Sequence, residues 1–174
     1  HRTAAVGPPG RSRERVRAIA DAIYRSIQRL DITYVNPPAS FESQGQKLRF
    51  ADQILQNRMG TCIDLTVLIA SALEQCGLHA ICIIEKGHAY PGVWLADETL
   101  ATTATDDEAA IRKLADAREI LVFDSSTVTN RPPETLASAE AAAARFLTKP
   151  ERFACAVDVA ASRRAGFLPL PIGG

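Results

Sequence analysis

Gly60-Thr61-Cys62-Ile63-Asp64-Leu65-Thr66-Val67-Leu68-Ile69-Ala70-Ser71-Ala72-Leu73-Glu74-Gln75-Cys76-Gly77 is the stretch whose reading decides the fold. Gly60 interrupts the chain, and Thr61 carries a hydroxyl suited to cap a helix from about Cys62 to Gln75. Ile63, Leu65, Val67, Leu68, Ile69, Ala70, Ala72 and Leu73 surround that helix on all sides, which predicts burial all round. Gly77 suits the C′ position that ends it. A cysteine at the first helical position faces backbone N–H groups that lack an intrahelical acceptor. Those groups favour the thiolate and can hold a developing oxyanion.

Downstream, Ala80 to Ile84 is an apolar, β-branched run that reads as a strand. The short Lys86-Gly87 turn separates it from a second strand, about His88 to Leu95, so the two are expected to be antiparallel. Glu119 to Phe123 reads as a third strand and leads into Asp124. The order Cys62, His88, Asp124 supplies the parts of an activated nucleophile: a thiol, an imidazole to move its proton, and a carboxylate to orient the imidazole. Asp97 competes with Asp124 for the last role. It lies nine residues after His88, roughly 30 Å along an extended strand.

Strand alternation puts His88, Tyr90, Gly92 and Trp94 on one face. That mixed polar and aromatic face is expected to form a cleft wall through Tyr90 and Trp94, with Gly60 letting substrate backbone come close. Ala89, Val93 and Leu95 are expected to face the core. Gln46, in the extended Gly45-Gln46-Lys47 segment, is the expected side-chain donor to an oxyanion. Asp64 reads as a first-turn acid favoured by the helix dipole or as the partner of a nearby arginine. Cys76, Cys82 and Cys155 read as small core residues.

A helix from about Ser12 to Leu30 precedes this region, with Val16, Ile19, Ala20, Ile23, Ile27 and Leu30 in one apolar stripe. Asn36-Pro37-Pro38 opens an extended loop, and a short helix is expected from about Ala51 to Met59. Residues 97–107 read as a surface loop and 107–117 as a short charged helix. Arg131-Pro132-Pro133 breaks the chain before a helix over 134–147. Phe153 to Val159 reads equally as a strand or a helix start. The expected class is α+β, with helices packed on an antiparallel sheet.

The 174 residues suit one domain, placed at 11–165 between a flexible lead (1–10) and a tail or linker (166–174). Twenty basic and twenty acidic residues cancel, which argues against direct nucleic-acid binding. Arg11, Arg13, Arg15 and Arg17 read as a solvated helix face. The four cysteines show no C-x-x-C spacing and no zinc set, so no metal is expected. Asp106-Asp107-Glu108 reads as a helix N-terminus rather than a calcium site. No cofactor is implied. The absence of an apolar run near about 18 residues predicts no membrane association, and a reducing, cytoplasmic setting is the expectation.

Ile54-Leu55-Gln56-Asn57-Arg58-Met59-Gly60-Thr61-Cys62, with the apolar helix that ends in Leu73-Glu74-Gln75-Cys76-Gly77-Leu78, resembles the nucleophile segment of the transglutaminase-like superfamily. His88-Ala89 is similar to that family's His-Ala pair, and Phe123-Asp124-Ser125 to its strand ending in aspartate. The resemblance spans about residues 50–128. It implies a papain-like α+β core, a Cys62–His88–Asp124 triad, a protein or peptide substrate, and chemistry through a thioacyl intermediate. The family includes transglutaminases, cysteine peptidases, peptide N-glycanases and inactive members, so a non-catalytic regulatory or interaction module is the alternative. Two features depart from the pattern: a long insertion between His88 and Asp124, and Tyr90-Pro91-Gly92, where the proline suggests an edge or bulge. Asn36-Pro37-Pro38-Ala39-Ser40-Phe41 and Gly45-Gln46-Lys47 resemble a narrower group. Its domains are embedded in large bacterial multidomain proteins with helicase-type regions, which implies other domains of a parent chain as partners.

Overall fold

In the computed structural model, which describes residues 12–36 and 47–169, the chain runs α1 (Arg13–Gln28), β1 (Thr33–Tyr34), α2 (Ala51–Asn57), β2 (Met59–Gly60), α3 (Cys62–Gln75), β3 (Ala80–Glu85), β4 (His88–Trp94), β5 (Ala104–Thr105), α4 (Glu108–Asp116), β6 (Ile120–Val122), α5 (Leu136–Phe146), β7 (Phe153–Asp158) and α6 (Val159–Arg164). The class is α+β. The main sheet is antiparallel and five-stranded, ordered β5-β7-β3-β4-β6. The expected lead and most of the expected tail lie outside the described residues.

Helix α3 has the bounds its sequence predicts, because both ends are chemically specified. Thr61 accepts from the Asp64 amide at 3.4 Å, and the Asp64 carboxylate accepts from the Thr61 amide at 3.0 Å, a reciprocal cap. Gly77 ends the helix with φ +69°. Burial all round is not found. Leu65, Ile69 and Leu73 are buried, while Val67, Ser71 and Gln75, four residues apart, line an exposed stripe. The helix lies across one face of the sheet, and among the described residues no layer covers its exposed stripe.

That face and α1 and α3 enclose the first core cluster: Val16, Ala20, Tyr24, Ile27, Leu65, Ile69, Val93, Leu95, Leu121 and Phe123. The opposite face is covered as well. Ile81, Ile83, Tyr90, Trp94, Ile120 and Val122 pack there with Ile111 of α4, Ala143 of α5 and Leu147, which caps the end of α5. Hence Tyr90 and Trp94, expected on a cleft wall, are core residues, 0% and 6% exposed. The simple in/out alternation assumed a sheet with one wet face; here both faces are dry. The insertion between His88 and Asp124 supplies part of the second layer through α4. It is pinned by Asp158, whose carboxylate accepts from Trp94 Nε1 at 2.9 Å and from the Leu100 amide at 2.8 Å.

Smaller expectations shift for local reasons. The short helix ends at Asn57, because Arg58 adopts φ +52° and turns the chain so that Met59-Gly60 pairs parallel with Thr33-Tyr34. Residues 153–159 resolve into strand and helix in succession: Asp158 ends β7, and its side chain accepts from the Ala161 amide to cap α6. Pro91 opposes Cys82 inside β4 and is not in a bulge, but it stands at a local edge, because only Gly92, Val93 and Trp94 of β4 pair with β6. Its carbonyl accepts from the Phe123 amide at 3.2 Å, but with no N–H it returns no bond, so the β4–β6 ladder stops. Cys76 is exposed at the α3 C-cap rather than in the core, and Cys82 and Cys155 are half-buried. Arg13 and Arg17 sit on the surface, as expected, in ion pairs with Glu119 and Glu140. Arg11 lies outside the described residues.

The one-sided burial of α3 makes a contrast measurable within a single helix. Leu65→Ala is expected to cost about 2–5 kcal/mol, whereas Val67→Ala should stay within about 0.5 kcal/mol of wild type. Urea unfolding of both variants checks this, and equal losses would contradict the orientation of the helix.

Candidate active site

Cys62, His88 and Asp124 come from three separate elements and meet at one end of the sheet. Cys62 is the first residue of α3, His88 the first of β4, and Asp124 the residue that caps the 3-10 turn Ser125–Thr129 after β6. Each is held by bonds that its neighbours in sequence dictate. The Cys62 carbonyl accepts from Thr66 Oγ1 at 2.8 Å and from Ser125 Oγ at 3.4 Å, which ties the start of α3 to the turn after Asp124. His88 opposes Glu85 across the two-residue turn, where Gly87 has φ +74°. The Asp124 amide donates to Ala139 of α5 at 3.0 Å, and the Thr127 hydroxyl donates to the Asp124 carbonyl at 2.7 Å. Because the Thr127 proton is used there, Tyr24 donates its own to Thr127 Oγ1, at 2.8 Å. A phenol on α1 thus braces the turn that carries Asp124.

His88 Nε2 lies 3.2 Å from Asp124 Oδ1. The same oxygen accepts from the Ser126 amide at 3.0 Å and from the Ser126 hydroxyl at 2.8 Å. The imidazole and the Cys62 thiol shift each other's ionisation, the ring lowering the thiol and the thiol raising the ring. The Phe146 ring of α5 meets the imidazole edge-on, at 4.9 Å between centroids and 72° between planes, and so limits its rotation.

Burial opposes ionisation of all three groups, and their mutual contacts overcome it. For His88, burial favours the neutral ring, but the hydrogen bonds and charges of Asp124 and Cys62 raise its pKa to about 9. For Cys62, burial pushes the thiol up; the hydrogen bond and charge of His88, then Tyr34, then the Ala89 amide bring it below its ordinary value. For Asp124, burial again raises the pKa, and His88 with Ser126 pulls it below the usual carboxylate range. His88 is therefore an imidazolium near neutral pH, and it moves both of its neighbours toward their charged forms, Cys62 toward thiolate and Asp124 toward carboxylate.

The other residues singled out in the sequence fall into distinct places. Gly60 is buried beside Leu65, two positions before Cys62. Trp94 is fixed in the core by Asp158, whereas Tyr90, also buried and donating to Glu85 at 2.8 Å, keeps its ring beside the imidazole, 5.9 Å from that of His88. Gln46 lies outside the described residues. Asp97 pairs with His79 at the surface. Asp64 plays both roles considered for it. Besides capping α3 it accepts from the Arg49 amide and guanidinium, each at 2.8 Å, with its side chain fully buried. Asp107 caps α4, as a helix N-terminus should.

Tyr34 was not anticipated. It stands on β1, remote in sequence from Cys62, but β1 pairs beside Gly60, and Cys62 helps raise its pKa. Only the aromatic residue in a two-residue strand hinted at it. Among the described residues no cluster of three or more His, Cys, Asp or Glu could hold a metal ion, and no helix is long and apolar enough to cross a membrane.

The carboxylate's hold on His88 can be read directly. In Asp124→Ala the imidazole pKa should fall from about 9 by at least about one unit, because the charge that favours the imidazolium is gone. NMR titration of the His88 ring protons checks this; an unchanged midpoint would remove Asp124 from the site. No protein-family model, curated protein or solved structure matches the chain, and its function therefore rests on the chemistry of these side chains.

Proposed function

We propose that the chain is a transglutaminase-like domain with a papain-like core, acting as a cysteine-nucleophile peptidase, amidase or acyl transferase on a peptide or carboxamide carbonyl. The observation that carries this is the His88 imidazole, hydrogen-bonded to Asp124 at 3.2 Å and raised in pKa by both Asp124 and Cys62. A structural cysteine needs no such partner, whereas a nucleophile needs a base and the base needs an orienter. A cytoplasmic setting, and a place within a larger bacterial multidomain protein, belong to the same proposal.

The chemistry follows from the groups present. The Cys62 proton resides on His88. The thiolate attacks the carbonyl carbon, an S–C bond forms, and the π pair moves onto oxygen. The amides of Cys62 and Ile63, at the first two helical positions, have no intrahelical acceptor and are placed to receive that charge. Collapse restores the C=O bond and breaks the C–N bond, and the departing amine takes the proton from His88. A thioester remains on Cys62. Water or a second amine, deprotonated by His88, attacks it and releases the acid or the new amide.

The cysteine's state separates this reading from a non-catalytic module. Iodoacetamide alkylation, followed at Cys62 by peptide mapping so that exposed Cys76 does not confuse it, should proceed as a thiolate well below about pH 8 in wild type and lose that low-pH reactivity in His88→Ala. Cleavage or acyl transfer needs thiolate and imidazolium together. It should rise with pH as Cys62 ionises and decline as His88 deprotonates near 9. If Cys62 titrates as an ordinary thiol in both proteins, the domain is an interaction module instead.

A further inference from the structure

We infer that Tyr34 is a further catalytic residue of this site, its phenol O–H being the side-chain donor that holds the Cys62 thiolate and then the oxyanion formed on the acyl oxygen. The assignment rests on the reading of Cys62 as an acyl-accepting nucleophile.

The position of Tyr34 is set by backbone, not by a flexible side chain. The Thr33 amide donates to the Arg58 carbonyl at 2.8 Å and the Val35 amide to the Gly60 carbonyl at 3.0 Å, so the residue between them is fixed in register opposite Gly60. Two residues past Gly60 stands Cys62. The ring is half-buried against the first core cluster, which leaves the hydroxyl as the end that meets the site. There its ionisation is shifted by two Cys62 groups, the sulfur and the backbone amide, and it in turn lowers the thiol. A carbonyl oxygen attached to a carbon bonded to Sγ has to lie close to both. The phenol therefore borders the corner in which negative charge develops, next to the amide that faces it.

The neighbouring charges keep the phenol protonated. Burial, then the Cys62 charge, raises its pKa to about 12, and Asp124 adds to the effect. A donor that stays protonated while the sulfur beside it is ionised can follow the charge from sulfur to oxygen without giving up its proton.

Tyr34→Phe keeps the ring and removes only the hydroxyl, and two electrophiles separate its two tasks. Iodoacetamide alkylation forms an S–C bond and expels iodide with no oxyanion. Acylation by p-nitrophenyl acetate passes through an oxyanion before p-nitrophenolate leaves. In Tyr34→Phe the thiol midpoint should move up, and the alkylation rate at high pH should not fall, since a thiolate freed of a donor is at least as nucleophilic. The rate of acylation at that same pH should fall by about 10²-fold. Unchanged or faster acylation, or an equal fall in both reactions, overturns the assignment; the last would mean that Tyr34 only positions the loop. A wild-type Cys62 inert to both reagents would overturn the nucleophile reading itself, and the role of Tyr34 with it. Thermal unfolding of the variant at the wild-type midpoint shows that the comparison is between folded proteins.

Discussion

The structure around the site depends on one buried carboxylate. Asp64 closes the cap on α3, and the same two oxygens bind the amide and the guanidinium of Arg49. A fully desolvated charge is tolerable only when its lone pairs are met, and here they are met by three donors from two segments. The consequence is positional. Cys62 is fixed as the first helical residue, with the dipole of a fourteen-residue helix behind it, and the chain at 47–50 is brought alongside. Removing the carboxylate would free both the helix start and the segment that approaches it.

Around that fixed point the site is assembled by exits from regular structure. The hairpin turn begins β4 at His88. The missing N–H of Pro91 ends the β4–β6 ladder at the level of Phe123, so the next residue, Asp124, leaves the sheet and turns toward His88. Ser125 and Thr127 then bind back to the carbonyls of Cys62 and Asp124. Each chemical group therefore sits where a strand or helix starts or stops, held by the regular element but not buried inside it. A site of this kind can be precise without strain in its own backbone, since none of the three residues has a positive φ.

The second layer explains features that the proposed chemistry does not need. Both faces of the sheet are apolar, and α4 and α5 close the face away from α3. Tyr90 and Trp94 are consumed by that packing, each with its polar end bonded to a buried acid. Phe146, at the end of α5, reaches the His88 ring. The layer thus contributes to the site by limiting the imidazole, while its aromatics are unavailable as a platform for ligand.

What the sequence by itself determined is whatever is encoded within a few residues: the bounds of α3 from Thr61, Asp64 and Gly77, the hairpin from Lys86-Gly87, and the order Cys62, His88, Asp124 along the chain. These rest on capping, turn and period rules that act over one or two turns of chain. Tertiary structure alone decided three things. It made both faces of the sheet dry, which moved Tyr90 and Trp94 from an expected wall into the core, because alternation marks sides but not what covers them. It exposed one stripe of an apolar helix, because hydrophobicity gives the capacity for burial while partners set its extent. And it brought Tyr34 to Cys62 through a two-residue parallel pairing, a contact between segments far apart in sequence. No local pattern specifies such a contact; it follows from the positions to which the rest of the fold holds β1 and β2.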